Sequence, residues 1–175
     1  MKLKIVGLLV CLFIIFSIFP SSVYADYVLP YPSYMPGNKL YKPSRFFDAV
    51  QKFWYWGNIA SFKYRLKLAD KYLVEAKTLF EYRQYLLGVD ALKRSNQQIP
   101  YIKQHLESAK NEDKNIDHMR ILMVSGMDAH IKTLEGLSAE LPSDYQWVPE
   151  KQSPTSINFT QLLQETIATR RAVME

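Results

Sequence analysis

From residue 43 onward, hydrophobic positions recur at alternating spacings of three and four, the period of helices that bury one face. A first short helix is predicted from Ser44 to about Trp56, with Phe46, Val50 and Phe53/Trp54 on its inner stripe, Pro43 or Ser44 at its start and Gly57-Asn58 ending it. The second has the cleanest seam: Ile59, Phe62, Leu66, Ala69, Leu73, Ala76 and Phe80 face inward. Lys63, Arg65, Lys67, Lys71, Glu75 and Lys77 occupy the opposite side. After a turn near 81–84, a third helix carries Tyr85, Val89, Leu92, Ile99, Ile102, Leu106 and Ala109 inward, with Pro100 expected to kink or interrupt it. The short connection makes helices two and three an antiparallel hairpin.

The polar segment 111–115 precedes a fourth helix with Ile116, Met119, Met123, Met127, His130, Leu134, Leu137 and Leu141 on one stripe, stopped by Pro142. Residues 142–157 contain three prolines and no period, which reads as an extended linker docked through Tyr145 and Trp147. Asn158 then caps a final helix, 158–174, in a box with Gln161, and Ile157 staples to Leu162. No β-alternation is legible. The fold expected is all-α: an antiparallel bundle of four to five helices over 44–141 and 158–174.

Two segments precede the bundle. Lys2 and Lys4, the apolar run Ile5–Phe19, the Pro20-Ser21-Ser22 break and the small-x-small Val23-Tyr24-Ala25 site read as an export signal, residues 1–25. The 15-residue run is short for a membrane span, although an uncleaved anchor is the rival reading. Residues 26–43 hold Pro30, Pro32, Pro36 and Pro43 among Tyr31, Tyr34 and Tyr41, a composition suited to an extended, low-entropy strap across the bundle.

Export changes what the composition means. Of 175 residues, 150 remain after position 25, and the sole cysteine, Cys11, is not among them. A chain of that length can build a core without disulfides, and thiol chemistry is excluded. Residues 39–110 carry 14 basic and 6 acidic side chains, whereas residues 111–175 carry 6 and 10. The two halves either pack against each other or leave a basic surface for anionic lipid or wall polymer. Nucleic acid is not an expected partner.

No catalytic constellation emerges. Met119, Met123 and Met127 with His118 and His130 could hold a soft metal, but the methionines occupy core-facing positions and the histidines are twelve apart. Asp117-His118 and Asp128/His130 lack a partner nucleophile, and His105 reads as a surface residue. Glu112, Asp113 and Asp117 lack calcium-loop spacing and suit a helix start. Phosphate loops, nucleophile elbows and zinc-helix motifs are absent. No cofactor, metal or enzymatic activity is therefore expected.

The aromatics are concentrated: 16 of the 20 after residue 25 lie between Tyr27 and Tyr85. Phe53-Trp54-Tyr55-Trp56 cannot hide every ring on one helical face. Trp54, Trp56, Lys52, Lys63 and Lys67 form the candidate interaction surface. Buried rings would favour a structural or protein-interaction module with an envelope protein as partner. Exposed rings beside Lys52 or Lys63 would favour a module for glycan or lipid headgroups.

Three stretches, "LPYPSYMPGNKLYKPSR", "FKYRLKLADKYLVEAKTLFE" and "AHIKTLEGLSAELP", together resemble a bacterial family of exported helical proteins classed as a domain of unknown function. The matching positions are Leu29-Pro30, Gly37 to Tyr41, and Leu66, Ala69, Tyr72, Leu73, Glu75, Ala76 and Leu79. Tyr72 stands where an arginine is common in that family. The resemblance spans about Val28 to Pro142 and implies a helical hairpin or bundle outside the cytoplasm, with no assigned reaction.

Overall fold

The computed structural model describes residues 27–151 and 153–175; the export-signal reading of residues 1–25 and the first strap residue, Asp26, lie outside them. Five helices follow one another: α1 (Tyr41–Gln51), α2 (Asn58–Glu81), α3 (Tyr85–Asn111), α4 (Asp117–Glu140) and α5 (Phe159–Met174). Between α4 and α5 lie two short strands, β1 (Asp144–Trp147) and β2 (Thr155–Asn158), paired antiparallel with Tyr145 opposite Ile157. Helices α2 to α5 form an all-α bundle: α2 packs on α3 and α4, and α5 packs on both α3 and α4.

The seams read from the sequence meet in two apolar clusters. One joins Phe62, Leu66 and Ala69 of α2 to Ile99, Ile102 and Leu106 of α3, Met119, Met123 and Met127 of α4, and Val173 of α5. The other joins Leu73, Ala76, Leu79 and Phe80 to Ala91, Leu92, Leu134, Leu137, Phe159 and Leu163. The methionine stripe is thus core. Helix α3 runs unbroken through Pro100, whose exposed position places the ring on the solvent side. The α2–α3 turn closes with Arg83 in the left-handed region (φ 58°) while the Arg83 and Gln84 amides donate to the Phe80 and Leu79 carbonyls.

Three expectations are corrected. First, α1 spans Tyr41–Gln51 rather than Ser44 to Trp56, and its Phe46 and the following Phe53 and Trp54 face solvent while Asp48 is buried. The helix starts early because Asn38 Oδ1 accepts the Leu40 amide and turns the chain, and Pro43 falls in the first turn, where its missing N–H is not needed. It stops early as the chain tightens into a turn, with the Phe53 and Trp54 amides donating to the Val50 and Gln51 carbonyls, before Gly57, at φ 80°, opens α2. Second, Glu75 and Lys71 do not lie on a solvent face of α2: Glu75 is buried and Lys71 is paired with Asp48. Third, the extended linker expected over residues 142–157, with no legible β-alternation, holds a small β-ladder of β1 with β2. Each four-residue strand turns only one side chain, Tyr145 or Ile157, toward the core, too few to show a period. Tyr145 docks on Tyr85 at 4.6 Å, whereas Trp147 stays partly exposed. The Asn158 cap forms, with its Oδ1 accepting the Gln161 amide at 2.7 Å, but the Gln161 side chain turns to Glu165 instead of completing the box.

Where α3 enters the bundle, Gly88 lies against the Phe80 ring. A Cβ there would sit 2.5 Å from Phe80 Cδ1 and Cε1, and that ring is itself locked edge-on against Phe159. Overpacking should cost about 1–3 kcal/mol, set against up to about 1 kcal/mol gained in helix propensity. Gly88→Ala is therefore expected to lower the urea midpoint. An unchanged or raised midpoint would show that the ring yields freely.

Candidate functional site

The inner stripe of α1 is polar. Tyr41, Ser44 and Asp48 lie three and four residues apart, so they share the side facing α2. Tyr41 donates to Glu75 Oε1 at 2.7 Å, and Lys71 Nζ donates to Ser44 Oγ at 3.1 Å and to the Asp48 carboxylate. Tyr64 of α2 donates to the Asp48 carbonyl. Glu75 also accepts from Arg94 of α3 at 2.8 Å, and that guanidinium lies 5.2 Å from the Tyr72 ring centre. Burial first, and the nearby Asp48 charge second, push the Tyr72 hydroxyl up to about 12; burial and then Glu75 likewise raise Tyr41. Both hydroxyls stay protonated, as Tyr41 must to donate to Glu75.

Polar anchoring on the inside leaves the apolar rings outside. Phe46 and Phe47 project from α1, and Phe53, Trp54 and Trp56 from the turn after it; Trp54 is 68% and Trp56 83% exposed. Tyr55 alone turns inward, stacked on Tyr64 at 5.0 Å, and so pins the turn. Trp56 donates its indole N–H to the Phe53 carbonyl, which fixes the ring without burying it. Lys52 Nζ stands 4.8 Å from the Phe53 ring centre, and Lys39, Lys42 and Arg45 are exposed along the same segment. Asp48, the only acid between residues 39 and 56, is neutralised by Lys71.

Of the five residues singled out from the sequence, Lys52, Trp54 and Trp56 share this tip. Lys63 and Lys67 are placed instead on the stretch of α2 facing residues 27–30. There they border a cleft of about 290 Å³ with Tyr27, Val28 and Pro30, and Asp70 also lines it.

Behind that cleft is a second constellation, which the sequence did not announce. Tyr27 donates to Asp70 Oδ2 at 2.6 Å, and His130 Nε2 lies 2.7 Å from Asp70 Oδ1. Arg170 Nε donates to His130 Nδ1 at 3.2 Å, which makes Nδ1 the acceptor and puts the imidazole proton on Nε2. The Arg170 guanidinium further reaches Asn96 Oδ1 at 2.7 Å, Ser95 Oγ at 3.0 Å and the Thr166 carbonyl. The Ser95 hydroxyl in turn donates to the Ala69 carbonyl. His130 and Arg170 are wholly buried. Burial holds the His130 pKa below its ordinary value, with the Arg170 charge acting in the same direction and the Asp70 bond opposing. Burial lowers Arg170 to about 10, still charged at neutral pH.

Chemically the network is closed. Asp70⁻ and Arg170⁺ balance across a neutral imidazole, and both ring nitrogens are occupied within the chain. No lone pair of His130 remains to take a substrate proton. The remaining histidines lie elsewhere: His118 is exposed, and His105, half-buried, meets Asn58 at 3.0 Å. Among the described residues no cluster of three or more histidine, cysteine or carboxylate groups could hold a metal ion, and no helix is long and apolar enough to cross a membrane.

The sequence did carry a trace of this network. Arg170 occupies a core position in the series Phe159, Leu163, Thr166, Arg170, Val173, spaced four, three, four and three. A buried arginine at such a position needs an acid, and Asp70, adjoining the α2 seam, supplies it. No protein-family model, curated protein or solved structure matches this chain, so the family resemblance rests on the quoted residues alone.

A neutral buried histidine is a stability statement. The unfolded chain takes up a proton near pH 6.5 that the folded chain refuses, so stability is full above that pH and declines below it, by at most about 1.4 kcal/mol per pH unit for one such group. Nitrogen-15 NMR at pH 6 should find His130 neutral and protonated on Nε2. A charged imidazolium there would contradict the network.

Proposed function

We propose that this chain is a non-catalytic, extracytoplasmic docking module that attaches through the α1 tip to an anionic membrane interface. The observation that carries the reading is the outward presentation of Phe46, Phe47, Phe53, Trp54 and Trp56 together with Lys39, Lys42, Arg45 and Lys52. Rings of this kind partition into the headgroup region, and basic side chains beside them meet lipid phosphates. Burying three such rings at about 1.5–3 kcal/mol each, with about 1 kcal/mol per basic residue near an anionic surface, reaches the range of reversible peripheral attachment. Phenylalanines make up three of the five rings, and the indole N–H of Trp56 is already used internally. The patch therefore suits lipid better than a sugar, which needs polar partners around a stacking ring. The apolar run Ile5–Phe19 supports an extracytoplasmic location, and the closed His130 network supports a non-catalytic role.

Residues 1–25 contain no tryptophan, so in a Trp147→Phe background indole fluorescence reports on Trp54 and Trp56 alone. On phosphatidylglycerol vesicles the emission should shift to the blue and be quenched by brominated chains, much less so on phosphatidylcholine or at high salt. Lys52→Glu with Arg45→Glu should weaken the shift at least about tenfold in lipid concentration. An unshifted spectrum on both lipids would refute membrane docking, and a shift produced only by wall glycan would replace lipid with that polymer.

A further inference from the structure

A second surface lies along β2. The Phe159 amide donates to the Ser143 carbonyl at 2.8 Å, and the register pairs Asp144 with Asn158 and Tyr145 with Ile157. Hydrogen-bonded and non-bonded pairs alternate in an antiparallel ladder, so Tyr145/Ile157 and Trp147/Thr155 are the bonded pairs. The N–H and C=O of Ser156 and the N–H of Asn158 therefore point away from β1, as an open sheet edge. A cleft of about 550 Å³ runs beside that edge: it is lined by all four residues of β2 and by none of β1. Its floor is apolar, from Val89, Ile157 and Leu162, and Asp90 of α3 and Glu165 of α5 stand on its walls with Lys93. Asp90 is paired with Arg94, whereas the Glu165 carboxylate meets only the neutral Gln161 amide among the described side chains.

We propose that this edge takes up an extended peptide segment of another protein as a third strand. Main-chain bonds would form to Ser156 and Asn158, an apolar side chain would settle on the Val89, Ile157 and Leu162 floor, and a basic side chain would face Glu165. Open edges recruit extended segments in this way, with backbone bonds giving affinity and alternate side chains giving selectivity. The volume accommodates only a few residues, so the contact is a short-motif interaction. It shares no residue with the aromatic tip and does not depend on the membrane reading.

The test is titration of the full chain with acetyl-Lys-Val-Lys-Val-Lys-amide, read by amide NMR and calorimetry. Saturable binding with slowed exchange of the Ser156 and Asn158 amides is the expected result. Ser156→Pro deletes an outward N–H while sparing the β1 ladder and should weaken binding about tenfold; Glu165→Gln should weaken it by a smaller factor. The same peptide N-methylated on its backbone keeps every side chain and should not bind, a control that needs no altered protein. Absence of saturation at millimolar peptide, or equal binding of the N-methylated peptide or by Ser156→Pro, would overturn the proposal.

Discussion

A single layer of hydrogen-bonded polar side chains crosses the bundle, and the rest of the structure is arranged around it. On each bundle helix a polar residue falls between members of the two apolar clusters. Asp70 lies between Ala69 and Leu73, Ser95 between Leu92 and Ile99, His130 between Met127 and Leu134, and Arg170 between Leu163 and Val173. Leucines and methionines alone would tolerate a helix sliding by a turn. A carboxylate, an imidazole and a guanidinium that must meet at 2.7 and 3.2 Å do not. Tyr27 extends the layer to the segment before α1, so the network also ties that segment to the bundle.

From that fixed point, Leu29 and Met35 settle against the second apolar cluster, the chain turns at Asn38, and α1 returns along α2. The first helix is then held by Tyr41, Ser44 and Asp48 against Glu75, Lys71 and Tyr64, and by the stacked Tyr55. An attachment made of hydrogen bonds and one ion pair leaves the rings with no inner face to occupy. Exposure of Trp54 and Trp56 is thus a consequence of how α1 is tethered. The β-ladder joins α4 to α5 in a different part of the fold and leaves one edge open, so the exposed rings and the open strand edge lie on separate surfaces.

The bundle was legible because α2, α3 and α4 have long seams in which apolar residues recur every three or four positions. Two features misled. In α1 the apolar stripe faces outward, and hydrophobic periodicity reports that a helix is two-faced without saying which face is covered. Beyond α1, charged residues at inward positions look like interruptions: periodicity puts Glu75 and Lys71 on a solvent face, and its apolar stripes leave out Asp70 and Arg170. Only His130 stood on a recognised stripe. Asp70 and Arg170 are 100 positions apart, and their pairing becomes visible only when helices pack. The short strands, with one inward residue each, lie below the length at which alternation can be read.

The most direct measurement is a double-mutant cycle on Asp70 and Arg170, followed by urea unfolding at neutral pH. If the layer is a single charge-balanced unit, Asp70→Asn and Arg170→Met should each cost about 3–5 kcal/mol, because each strands its partner in the core. The doubly substituted chain should then lose at least about 1–2 kcal/mol less than the sum of the two. Losses that add to within about 0.5 kcal/mol would mean the two groups act independently, and the layer would not be the element that sets the bundle's register.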